Sequence, residues 1–194
     1  MRVCVFCGSS PGHESIYAEA TAALGRSIVR RGGGVVYGGG KVGLMGIVAD
    51  AAMAAGGEVT GVIPRYLAEK EIAHESLSAL EVVSSMHERK ARMAELSDAF
   101  VALPGGAGTL EEIVEQWTWA QLGFHAKPCA FLDVDGYFAP LREMVCAMVE
   151  RGFLKPAHAD MLVFTDDVEA LLDACASYEP PDAPKWTVPP SAKP

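Results

Sequence analysis

The sequence predicts an α/β fold: a doubly wound parallel sheet flanked by helices. Three observations lead there. Short apolar runs alternate with helix-period segments along most of the chain. The apolar runs are nearly continuous and do not alternate with polar residues, as in strands covered on both faces. Three glycine clusters each follow such a run directly, at the carboxyl edge where doubly wound sheets bind ligands.

The elements follow in order. Residues 2–6 read as the first strand and residues 13–31 as a helix with Ile16, Ala20, Leu24 and Ile28 on one face. A short strand at 35–37 runs into a glycine-rich turn and an alanine-rich helix over 44–55. Residues 58–63 form a strand that Pro64 ends. A strand at 81–83 precedes a charged helix over 86–97. The strand 99–103 stops at Pro104, and a helix is predicted over 109–121. A strand at 129–134, a helix at 138–151, a strand at 162–165 and a helix at 167–176 complete the pattern. Residues 1–176 are expected to form one Rossmann-like domain. Residues 178–194 hold six of the twelve prolines in 17 residues and read as a tail unable to form helix or central strand.

Composition narrows the function. The net charge of −9 argues against nucleic acid as a partner, since binding a phosphate backbone needs a basic surface. It leaves room for one phosphate in a local site. No apolar run approaches the ~20 residues of a membrane span, and the apolar start MRVCVFCGSS is too short for a signal sequence. A cytoplasmic protein without a membrane partner is expected. The five cysteines are scattered. Cys4 and Cys7 have C-x-x-C spacing, but no second ligand pair follows for zinc, and Cys4 lies in a strand, not at a helix start. No metal or cofactor is expected.

The most informative stretch is PGGAGTLEE, residues 104–112. Gly105, Gly106 and Gly108 let backbone approach a ligand closely. The loop opens onto a helix predicted to start near Thr109, whose free N–H groups and dipole suit a phosphate. The spacing is neither a Walker A loop nor G-x-G-x-x-G. Glu112 has two readings. It can close a capping box with Thr109, or stand beside the phosphate loop as the carboxylate that stabilises a sugar cation. In HERKARM, residues 87–93, Arg89 and Lys90 are the densest positive charge near the predicted edge, and His87 reads as a polar helix start. The cluster over 38–46, with Gly39 and Gly40, supplies either further amide donors or only a tight turn; Gly8 and Ser9 follow the first strand in the same way. Trp117, Trp119, Leu122 and Phe124 read as core or a dimer interface.

VVYGGGKVGLMG (35–46), MHERKARM (86–93), PGGAGTLEE (104–112) and TWAQLG (118–123), in this order, resemble the Lonely Guy (LOG) family of cytokinin riboside 5′-monophosphate phosphoribohydrolases, long labelled possible lysine decarboxylases. The resemblance implies a homodimer that hydrolyses an N6-substituted AMP, or AMP itself, to free base and ribose 5-phosphate. It implies catalytic roles for Arg89 and Glu112. It implies substrate contacts at Glu71, Lys90, Gly105, Gly106, Ala107, Gly108, Thr109, Leu110, Glu111 and Thr118; the match at Glu71 rests on a less similar segment. A decarboxylase would need a lysine–acid pair for pyridoxal phosphate, and no such pair is evident. The alternative is a non-catalytic nucleotide or molybdenum-cofactor carrier of the same fold.

Overall fold

A computed structural model describes residues 1–69, 73–74 and 76–181. Seven strands form one sheet: β1 (Arg2–Phe6), β2 (Gly34–Tyr37), β3 (Val59–Pro64), β4 (Ala79–Val83), β5 (Ala99–Ala102), β6 (Cys129–Leu132) and β7 (Leu162–Thr165). Their order is β4-β3-β2-β1-β5-β6-β7, and every pair is parallel. The order reverses direction beside β1, so β1 and β5 flank the switch point where such sheets open a crevice.

The continuous apolar strands are explained by two cores. Val3 and Val5 of β1, and Ala99 and Val101 of β5, point into one. Cys4, Phe6, Phe100 and Ala102 point into the other. Apart from Arg2 at the start of β1, each residue of β1, β2, β5 and β6 is therefore buried, whichever face its side chain takes. On the first face lie α1 (Ser15–Arg30), α2 (Gly43–Ala54) and α8 (Val168–Ala176), contributing Leu24, Ile28, Leu44, Val48 and Leu171. On the second lie α4 (Met86–Leu96), α5 (Ala107–Gln121) and α6 (Ala139–Glu150), contributing Met93, Ile113, Trp117 and Val145. The short helices α3 (Arg65–Ala68) and α7 (Pro156–Ala159) and a 3₁₀ turn at Val134–Gly136 are additional to the sequence expectation. Each is a single turn or less, too short to leave a periodic pattern.

Several expected bounds shift. Ile16 is exposed, because the first turn of α1 overhangs the carboxyl edge, where Tyr17 lines a cleft. The sixth strand ends at Leu132, since Val134 already belongs to the 3₁₀ turn. α5 begins at Ala107, two residues before the predicted start, with Gly106 as its N-cap. α8 ends at Ala176 and Tyr178–Pro181 continue without regular structure; the rest of the proline-rich tail lies outside the described residues. No helix among the described residues is long and apolar enough to cross a membrane.

Candidate active site

The carboxyl edge of the sheet gathers the three glycine loops. The Gly8 N–H donates to the Pro104 carbonyl at 3.1 Å, and the Leu44 N–H donates to the Gly8 carbonyl at 3.0 Å. The loops after β1, β2 and β5 are thus tied into one floor. A cleft of about 340 Å³ opens there, between Gly8, Ser9, Tyr17, Leu44, Gly105 and Tyr137. Gly105 has no room for a side chain: a Cβ would fall 2.2 Å from Thr109 Oγ1 and 2.8 Å from the Gly8 nitrogen. Gly106, Ala107 and Gly108 are exposed at the head of α5, where free amides and the helix dipole favour an anion.

The helix start rules out one of the two readings of Glu112. With Gly106 as N-cap, Thr109 is the third helical residue and Glu112 the sixth. The capping box is excluded, because a box needs Thr109 outside the helix and its acid at the third position. Glu112 instead turns inward, its side chain only 14% exposed, with Oε1 3.5 Å from Arg89 Nη1. Thr109 is buried and packs behind Gly105. Gly106 and Gly108 are poor helix formers, so the sequence points to a later start at Thr109; the tertiary fold overrides them.

Arg89 is held on three sides. Its residue is 8% exposed. Nε donates to the Val62 carbonyl at 3.1 Å and Nη2 donates to the Gly38 carbonyl at 3.2 Å, while Nη1 faces Glu112. The guanidinium fork thereby joins the ends of β2 and β3 to α5. Gly38 makes this possible, since a Cβ there would sit 1.9 Å from Arg89 Nη2. Within the Gly38–Gly46 cluster, Gly38 opens space for a site residue, a role in neither reading, and Gly39, at φ +78°, supports the tight turn: its carbonyl accepts from the His74 N–H. Gly40 forms an isolated antiparallel bridge with Ala73 and is tied to that segment.

Burial raises the pKa of Glu112, with Arg89 pulling it down and Glu111 pushing it up. Cys7, at the end of β1, is also raised, first by burial and then by the charge of Glu112. Cys4 and Cys7 are both free and buried, and they behave as small hydrophobes.

The other expected contacts divide. Lys90 is buried, and its Nζ reaches Glu111 Oε1 at 2.5 Å and Glu115 Oε1 at 2.9 Å. Burial works against its ammonium, yet the two carboxylates outweigh that and its pKa is raised. Lys90 and Glu111 thus neutralise each other beside Arg89 and Glu112. Leu110 is exposed on the face of α5 away from the core. Thr118 is exposed, spends its hydroxyl on the Val114 carbonyl, and stands about 18 Å along the helix from Gly106. One copy of the chain does not bring Thr118 to the glycine loop. Glu71 lies outside the described residues. Sequence reading missed Gly38, Val62 and Tyr137. Gly38 stood inside a quoted cluster, but a backbone acceptor such as Val62 leaves no signal.

The chain matches the family model described as possible lysine decarboxylase over residues 45–175. It is 49% identical over 179 residues to the probable cytokinin riboside 5′-monophosphate phosphoribohydrolase LOGL2 of Oryza sativa subsp. japonica, covering 92% of this chain and 73% of that protein. It is 48% identical to the cytokinin riboside 5′-monophosphate phosphoribohydrolase LOG5 of Arabidopsis thaliana, covering 92% and 78%. Among solved structures, it resembles the molybdenum cofactor binding protein from Rippkaea orientalis, with a TM-score of 0.69 and 18% identity over 91% of this chain and 95% of that chain. The molybdenum cofactor carrier protein from Chlamydomonas reinhardtii gives 0.68 and 19% over 91% and 98%. At that identity these structures speak for the fold alone.

Proposed function

The chain belongs to the LOG family, and from that premise we propose that it is a hydrolase that cleaves the N-glycosidic bond of a nucleoside 5′-monophosphate. The substrate class is a cytokinin riboside 5′-monophosphate, that is, an N6-substituted AMP, with AMP itself as a further substrate. The observation that carries the reading is the buried Arg89–Glu112 pair beside the glycine loop.

In this reading the 5′-phosphate sits on the amides of Gly105 to Thr109 at the head of α5. Glu112, six residues into the helix, lies about 9 Å along its axis from the N-cap, where the sugar of a loop-bound nucleotide extends. Departure of the base leaves positive charge on C1′ and the ring oxygen. A carboxylate held in a site of restricted water stabilises that charge more than it would in bulk solvent. Water then adds its oxygen to C1′ and Glu112 accepts or orients its proton. The base leaves with the bonding electron pair and takes up a proton. Arg89, fixed by the Val62 and Gly38 carbonyls, holds Glu112 in place and offers donors to ribose or phosphate oxygens.

The same reading includes a homodimer. Leu110 and Val114, each 36% exposed, and Thr118 recur every four residues along α5 and form an outward face. A second copy covering that face would shield its apolar side chains and bring Thr118 toward a neighbouring site. Placement in the cytoplasm is supported by the burial of Cys4, Cys7, Cys129 and Cys175 as free thiols.

The test is a product assay with AMP and isopentenyl-AMP side by side, reading free base by chromatography. Release of base from either supports the reading. Tight binding of both without base release would overturn it and favour a carrier.

A further inference from the structure

Tyr137 projects from a short turn between β6 and α6. It is 43% exposed, yet its hydroxyl is committed to one acceptor. That acceptor is the Gly105 carbonyl, 2.5 Å away and 32 residues earlier in the chain. The ring meets Tyr17 edge-on at 6.2 Å, and both line the cleft at the switch point.

The turn is built to hold this side chain. The Asp133 carboxylate accepts from the Phe138 N–H at 2.6 Å. Phe138 is fully buried, and its ring packs on Phe131 at 5.0 Å. Between these anchors Asp135 adopts φ +54°, the single positive φ of a non-glycine residue among the described residues. Such conformations persist where their surroundings enforce them, and they gather at functional sites.

We propose that Tyr137 is a positioning residue for the anion cradle, its hydroxyl fixing the Gly105 carbonyl so that the loop offers amides and no carbonyl to a phosphate ester. In a trans peptide the C=O of Gly105 and the N–H of Gly106 point in opposite directions. Glycine on both sides of this peptide, with open space where a Gly106 side chain would be, leaves its backbone dihedrals wide freedom. A rotated peptide would turn a partial negative charge toward the anion. Holding the carbonyl on the phenol keeps the Gly106 N–H pointing the opposite way, available to join the amides at the head of α5. The ligand class is a phosphate monoester of a sugar, and the inference rests on the phosphate reading of the loop given above.

The test compares wild type with Tyr137→Phe, which removes one hydroxyl and keeps the ring. Ribose 5-phosphate and adenine serve as inhibitors of AMP hydrolysis, one carrying the phosphate and the other lacking it. A lost hydrogen bond of this kind predicts weakening of ribose 5-phosphate inhibition by about 3- to 10-fold, and a similar rise in KM for AMP. The variant's kcat stays within about twofold, adenine inhibition is unchanged and Tm is unchanged. Amide hydrogen exchange over residues 105–109 speeds up in the variant. Unchanged ribose 5-phosphate inhibition, equal weakening for adenine, or unchanged exchange overturns the role of Tyr137 while leaving the phosphate reading intact. Failure of ribose 5-phosphate to inhibit the wild type overturns the phosphate reading itself, and the inference with it.

Discussion

Replacing Glu112 with Gln tests the site most sharply, because its effects on stability and on catalysis separate. The substitution keeps shape and hydrogen-bonding capacity and removes one negative charge. Removing one partner of a buried ion pair costs about 3–5 kcal/mol when the other is left uncompensated. Two observations reduce that here. Arg89 keeps the Val62 and Gly38 carbonyls, and its 3.5 Å approach to Glu112 is an ionic contact, not a hydrogen bond. The pKa of Glu112 is raised, so the burial cost of its charge exceeds the attraction of Arg89. A carboxyl whose folded pKa lies above its unfolded value loses stability as pH rises from the unfolded value through the folded one. At neutral pH the charged form therefore burdens the fold, and Gln removes the burden. The expected Tm change is within about 4 °C, on the order of 1 kcal/mol for a chain of this size.

Activity should respond quite differently. Losing a preorganised charge aimed at the transition state costs on the order of 10²–10³ in kcat, about 2.7–4 kcal/mol. The wild-type kcat/KM should rise with pH through an apparent pKa above the ordinary glutamate value, as Glu112 ionises, and Glu112→Gln should lack that rise. The assays are base release from AMP between pH 4 and 9 and thermal unfolding at pH 7. A variant that keeps activity within tenfold, or that loses activity only in proportion to a large drop in Tm, would refute the catalytic role.

Arg89→Ala leaves Glu112 buried without a counter-charge and removes the donors to two carbonyls, so urea denaturation should show about 3–5 kcal/mol of destabilisation at neutral pH. Arg89→Lys should recover part of the stability and little of the activity, because an ammonium cannot span Val62, Gly38 and Glu112 together. Gly38→Ala puts a Cβ 1.9 Å from Arg89 Nη2 and should lower kcat at least tenfold in a folded protein; near-normal kcat would show that the guanidinium position is unimportant. Arg31→Ala breaks four hydrogen bonds to Glu169 and Asp173 between α1 and α8. It should nevertheless cost under about 1 kcal/mol, because these are surface pairs, and a loss above 2 kcal/mol would contradict that.

Most of the strands, and the burial of the central ones, are legible in the sequence. A run such as VCVF in β1 is apolar at every position because both faces of its strand are covered, and that pattern survives in one dimension. It also showed the glycine loops at the carboxyl edge, and its family motifs selected Arg89 and Glu112. Where Glu112 points was not legible in the sequence. Whether it capped a helix or met Arg89 depended on where α5 begins, and that start lies in a glycine-rich stretch that local propensity does not favour as helix. Only the fold showed that Lys90 is tied to Glu111 and Glu115, and that Arg89 rests on the carbonyls of Gly38 and Val62. Backbone acceptors are the same for every residue type, so their use leaves no mark in the sequence. Contacts across 27 and 51 residues arise only when the sheet brings its strand ends together.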